Sequence, residues 1–137
     1  MARILVVEDE ESMRRVLAVL LGSHGYELAE AETLAGGREA LAQRHFDLLI
    51  ADQRLPDGEG MDILTWAREA DPGMPVIMVT AYGTVDLAVR AMREGAFDFI
   101  TKPFEQETVL AAVARACEHG ALLRENALLR GEVDRLE

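Results

Sequence analysis

Five short runs of largely apolar residues recur along the chain, and each stops at polar or charged residues. They are Ile4-Leu5-Val6-Val7 before Glu8-Asp9, Tyr26 to Ala31, Leu48-Leu49-Ile50-Ala51 before Asp52, Val76-Ile77-Met78-Val79 before Thr80, and Phe97 to Ile100 before Thr101-Lys102. Unbroken apolar runs of this length, bounded by turn residues, predict strands buried on both faces. The second run carries Glu27 and Glu30 and suits an outer strand. The fifth alternates, as an edge strand would.

Between these runs the period changes to that of a helix. Met13, Val16, Leu17, Leu20 and Leu21 make one apolar face. Thr33 is placed to cap a second helix, Leu34 to about Gln43, although Gly36-Gly37 weakens its helical propensity. A third helix is predicted from near Gly58, carrying Met61, Ile63, Leu64 and Ala67 until Asp71-Pro72-Gly73 breaks it. Thr84 caps a fourth, with Val85, Ala88, Val89 and Met92 on one face and Gly95 at its end. A fifth starts near Glu105 and turns Val109, Ala112, Val113 and Ala116 inward. Five alternating β-α units predict an α/β fold: a doubly wound (βα)5 parallel sheet with helices on both faces and right-handed crossovers.

The last residues follow another rule. Leu122, Asn126, Leu129, Val133 and Leu136 are spaced 4-3-4-3, a heptad seam with Asn126 and Val133 at a positions. A single Asn at an a position favours a parallel two-stranded coil held in register. A homodimer through an extended C-terminal helix is the expectation, although Gly120 and Gly131 weaken that helix.

Composition narrows the picture. The 137 residues suffice for one domain, and half are hydrophobic. No apolar stretch approaches the roughly 20 residues of a membrane span. Met1-Ala2-Arg3 runs straight into a strand pattern, so no signal peptide is expected. Cys117 is the single cysteine, which fits a reducing cytoplasm rather than a disulfide framework. A net charge of -11 argues against this stretch gripping nucleic acid by its own surface. Of 14 basic residues 13 are arginine, and the one lysine, Lys102, stands at a strand end.

In a parallel sheet all strands point one way, so Glu8, Asp9, Asp52, Thr80 and Lys102 converge on one edge, where open α/β sheets bind ligands. Three carboxylates there repel each other. An all-oxygen site of that kind suits Mg²⁺, which leaves open positions for phosphate oxygens. A carboxylate oxygen of Asp52 could then attack phosphorus to form an acyl phosphate, with Lys102 and the Thr80 hydroxyl on the phosphoryl oxygens. Taken singly the residues read more plainly. An Asp after a strand is usually a turn residue or cap, and Glu8 to Glu11 makes a favourable acidic first helical turn. His24, His45 and His119 are scattered and read as surface or loop residues, and no nucleotide-cradling glycine motif occurs.

The pieces VVEDE, DQRLPDGEG, VTAYG and GAFDFITKPF together resemble the receiver domain of two-component response regulators, over residues 1 to 118. The resemblance implies a flavodoxin-like sheet of strand order 2-1-3-4-5 and a linker over 119–137 leading to an output domain. It implies Asp52 as phosphoacceptor for a sensor histidine kinase. Mg²⁺ would be held by Glu8, Asp9, Asp52 and the Arg54 backbone carbonyl, with Thr80 and Lys102 on the phosphoryl group. It further implies a switch through Thr80, Phe99 and Tyr82, movement of Val85, Ala88 and Val89, and a cis Lys102–Pro103 bond. Two positions depart from the commoner pattern: Glu8-Asp9 stands for Asp-Asp, and Phe99 for Tyr. The stretch from Thr80 to Phe104 resembles the NtrC-type subset, which joins a receiver to an AAA+ ATPase and a DNA-binding domain and activates sigma-54 RNA polymerase. Two rivals remain. An aspartate-nucleophile phosphatase would need a general acid where Arg54 stands, and a phosphorylation-independent dimerisation module would not need Asp52, Thr80 and Lys102 together.

Overall fold

The structure, a computed structural model, describes residues 2–129, and side chains through Leu122. The elements run β1 (Arg3–Val7), α1 (Glu11–Gly22), β2 (Glu27–Ala31), α2 (Leu34–Gln43), β3 (Leu48–Ala51), α3 (Gly60–Ala70), β4 (Val76–Thr80), α4 (Val85–Arg93), β5 (Asp98–Thr101) and α5 (Gln106–Leu129). The strands form one parallel sheet ordered β2-β1-β3-β4-β5, as expected.

Strand alternation divides the core into two layers. Leu5, Val7, Leu49, Ala51, Val76 and Met78 face α2 and α3. Ile4, Val6, Leu48, Ile50, Ile77 and Val79 face α1 and α5, where Val109, Ala112, Val113 and Ala116 are all buried. Both faces of the middle strands are covered, which is why they read as unbroken apolar runs. Phe99 on β5 is only half-buried.

The helix ends follow local chemistry. Thr33 caps α2 by accepting the Gly36 N–H at 2.9 Å, and Thr84 caps α4 by accepting that of Leu87 at 3.1 Å. The glycine pair does not interrupt α2, because Gly37 is needed for packing. A Cβ there would stand 2.8 Å from Ile63 Cδ1 and 2.9 Å from Val7 Cγ2.

One sequence expectation is corrected. The third helix starts at Gly60, not near Gly58, because Arg54–Leu55 and Gly58–Glu59 pair as a two-stranded antiparallel hairpin. On α4, Val85, Val89 and Met92 share a face as the spacing predicts, and that face points to solvent, at 80, 44 and 49 % exposure. The core side of α4 is supplied by Ala91 and Leu87.

The fifth helix continues without a break to Leu129. Beyond the sheet it stays close to the body: the His119 ring lies 5.4 Å from that of Phe97, and a Cβ on Gly120 would meet Pro75 Cδ at 3.2 Å. Of the expected heptad seam, Leu122 is exposed, Asn126 and Leu129 lie on helical backbone, and Val133 and Leu136 fall outside the described residues.

Candidate functional site

Strand register builds the site. Val7 pairs with Ala51, Ala51 with Met78, and Thr80 with Thr101. One residue further on, the Asp52 N–H donates to the Val7 carbonyl at 3.0 Å and the Lys102 N–H to the Thr80 carbonyl at 2.9 Å. The backbone therefore carries Glu8, Asp52 and Lys102 past the carboxyl edge while still holding them in the ladder. Glu8, Asp52 and Thr80 are buried there, and Asp9 is exposed beside them.

Ligand oxygens of Glu8, Asp9 and Asp52 all come within 4.8 Å of one another. This hard-oxygen set, free of thiol and imidazole, fits Mg²⁺. Lys102 counters the charge: its ammonium donates to Asp52 Oδ2 at 2.9 Å and also to Glu8 Oε1. All three side chains in this pair of bridges are nearly buried.

Their acidities diverge accordingly. Burial pushes the Glu8 carboxyl up to about 7, against the pull of Lys102 and with added repulsion from Asp52. Burial also acts to raise Asp52, but Lys102 and the Thr80 hydroxyl outweigh it and hold the carboxyl below its ordinary value. Burial likewise opposes the Lys102 charge, yet its two carboxylate partners prevail and raise it. At neutral pH Asp52 is thus an ionised, partly desolvated carboxylate, the form a nucleophile needs.

The surroundings fall into place around it. The Thr80 hydroxyl accepts the Tyr82 N–H at 3.2 Å, so the residue beside Asp52 also pins the loop leading to α4. The Arg54 guanidinium lies over the Tyr82 ring, 3.7 Å from its centroid. Gly83 lets the loop lie on Phe99: a Cβ there would stand 3.1 Å from Phe99 Cε1 and 2.5 Å from Thr101 Cγ2. The structure therefore gathers Glu8, Asp9, Asp52, Thr80 and Lys102, puts Arg54 and Tyr82 at the rim, and sets Phe99 behind Gly83.

Three residues escaped the sequence reading. Arg14 donates to the Glu8 carbonyl at 2.8 Å and pairs with Glu30 and Glu32. Gln53 is buried and accepts the Met61 N–H at 3.0 Å. Asp57 accepts the N–H groups of Leu34 and Ala35 at 2.8 and 3.0 Å. A polar residue beside the buried strand end was the available signal for Gln53, but its partner depends on the hairpin.

Known proteins with this arrangement are numerous. Residues 4–114 match the response regulator receiver domain family. The response regulator protein PilR of Pseudomonas aeruginosa is 40% identical over 83% of this chain, and the transcriptional regulatory protein GlrR of Escherichia coli is 36% identical over 88%. The chain spans only 26% and 27% of those two relatives. Among solved structures, the beryllofluoride-activated NtrC4 receiver domain dimer superposes with a TM-score of 0.84 at 36% identity, over 88% of this chain and 99% of that one. NtrX from Brucella abortus in complex with ADP gives 0.86 at 35% identity, over 94% of this chain and 29% of that one.

Proposed function

The chain belongs to the response regulator receiver domain family, and from that premise we propose that it accepts a phosphoryl group on Asp52 from a sensor histidine kinase. The observation that carries this reading is the buried Lys102 ammonium bridging Glu8 and Asp52 at the carboxyl edge of the sheet. A cation so placed keeps the nucleophile ionised and stands ready for an incoming phosphoryl oxygen.

The chain's own residues account for the transfer. An Asp52 oxygen attacks phosphorus, the bond to the donor breaks, and the donor atom leaves with the electron pair. Lys102 trades a carboxylate contact for a phosphoryl oxygen, and the Thr80 hydroxyl turns from the Tyr82 amide to another. Glu8, Asp9, Asp52 and the Arg54 carbonyl would hold Mg²⁺, which when bound neutralises charge developing on the phosphoryl group. Arg54, over Tyr82, controls how readily water reaches the acyl phosphate.

The added phosphoryl charge then biases the β4–α4 loop. Thr80 moves toward it, Phe99 fills the space that Thr80 leaves, and the exposed apolar face of α4 repacks. We read the outcome as a change in dimerisation along α4, β5, α5 and the heptad seam of a cytoplasmic regulator. Its output would be an AAA+ sigma-54 activator that binds DNA through domains beyond these residues. The receiver acts here as a regulatory phosphoacceptor and not as an enzyme on an external substrate.

Acetyl phosphate with Mg²⁺ tests the reading directly. Intact-mass spectrometry is expected to show one phosphoryl adduct in the wild type and none in Asp52→Asn. An unmodified wild type would favour the phosphorylation-independent dimerisation module.

A further inference from the structure

The segment after Asp52 is fastened at both ends to helix N-termini. Its hairpin closes on itself: the Gly60 N–H donates to the Gln53 carbonyl at 2.8 Å, and Arg54 pairs with Glu59. Gly60 has no room for a side chain, since a Cβ would lie 2.1 Å from the Asp52 carbonyl oxygen, so the first turn of α3 abuts the phosphoacceptor's own backbone. The Gln53 side chain reaches the same turn and accepts the Met61 N–H at 3.0 Å in a buried setting. A backbone N–H can only be met by an acceptor, which fixes the amide with its oxygen toward Met61.

The far end of the hairpin is held by another helix. Both Asp57 carboxylate oxygens accept N–H groups from the first turn of α2, Leu34 at 2.8 Å and Ala35 at 3.0 Å. These donors have no partner within their helix, and the helix dipole favours a negative charge there. Gly58 follows with φ +151, where a Cβ would come 2.6 Å from Leu34 Cδ1, so the hairpin tip rests on α2.

We propose that Gln53 and Asp57 are positioning residues for the phosphoryl-transfer site. They clamp the hairpin between α3 and α2 and thereby hold the Arg54 carbonyl, and the Arg54 side chain over Tyr82, in place. The inference rests on the phosphoacceptor reading of the site. Neither residue touches the reacting atoms. Each removes freedom from a loop that would have to present a backbone oxygen beside the carboxylates of Glu8, Asp9 and Asp52.

The test compares Gln53→Leu and Asp57→Ala with Asp57→Glu, which keeps two acceptor oxygens for the Leu34 and Ala35 N–H groups. In metal-free protein, amide hydrogen exchange of Arg54, Leu55 and Glu59 is expected to accelerate in the first pair and to stay nearer wild type in Asp57→Glu. Calorimetric titration with Mg²⁺ alone is expected to show dissociation constants weaker by on the order of tenfold in the first pair, as for lost outer partners of a metal site. Asp57 is exposed, so Asp57→Ala keeps the experiment decisive if Gln53→Leu fails to fold. Unchanged hairpin exchange, or faster exchange with unchanged Mg²⁺ affinity, overturns the clamp while a Mg²⁺-binding wild type leaves the phosphoacceptor reading standing. A wild type that binds no Mg²⁺ overturns both.

Discussion

Lys102 Nζ lies 2.9 Å from Asp52 Oδ2, joining residues 50 positions apart across the carboxyl edge of the sheet. Its second bond, to Glu8, makes one ammonium the counterion of two buried carboxylates. Removing one member of such a buried set leaves uncompensated charge. Lys102→Met is expected to destabilise the metal-free protein by about 3 kcal/mol at pH 8. The loss should shrink at pH 5, where Glu8 takes up a proton. Urea unfolding at the two pH values checks this, and added Mg²⁺ should restore part of the difference.

Glu8 gives the wild type its own pH signature. Its carboxyl rises from an ordinary 4.5 to about 7 on folding. A carboxyl raised in the folded state favours its protonated form there, so the native state binds more protons than the unfolded one in this window. Metal-free stability should therefore fall as pH climbs from about 4.5 toward 7. Asp52, held below its ordinary 3.8, contributes stability that is present above that value and lost only in stronger acid. Denaturation midpoints across pH 5 to 7 should slope downward in the wild type and flatten in Glu8→Gln.

Two helical glycines should respond oppositely to alanine. A Cβ on Gly22, at the end of α1, would meet nothing within 4 Å, so Gly22→Ala should stabilise by up to about 1 kcal/mol. Gly37 meets Ile63 and Val7, and Gly37→Ala should cost about 1–3 kcal/mol despite better helix propensity. Thermal unfolding of the two variants gives the sign of each.

The outward face of α4 separates stability from switching. Val85 is 80 % exposed, so Val85→Glu should leave the melting temperature near wild type. If that face joins the activated dimer, the same variant should sediment as a smaller species than wild type in beryllofluoride and Mg²⁺. Equal sedimentation would remove α4 from the interface.

The strand ends were legible because they obey a one-dimensional rule. An apolar run buried on both faces has to end where the polar residue begins, and a parallel sheet then aligns Glu8, Asp52, Thr80 and Lys102 without further information. The order of the strands, the cis Lys102–Pro103 bond and the inward side of α5 agree with the sequence reading as well. The hairpin over residues 54–59 was not legible, because two-residue strands leave no period to detect. Nor was the role of Gly37, whose neighbours come from β1 and α3. On α4 the periodicity marked an apolar face correctly, but periodicity carries no statement of whether a face meets the core or a partner. The roles of Gln53 and Asp57 depend on where their acceptor oxygens lie against α3 and α2, which the sequence does not state.

One feature of the fold acts as a lever. The fifth helix runs unbroken for 24 residues, about 36 Å of rigid rod at 1.5 Å per residue. Its first half is fastened to the sheet by Val109, Ala112, Val113 and Ala116, and His119 and Gly120 brace it against Phe97 and Pro75. Gearing follows from that shape. Only residues 121–129, about 14 Å of helix, extend past these braces, so a tilt of about 10° at Gly120 displaces the far end by about 2 Å. A rearrangement of ångström scale at the mouth of the sheet would thus reach the far end of α5 as a displacement of similar or modestly larger size, without the receiver itself having to unfold or swing.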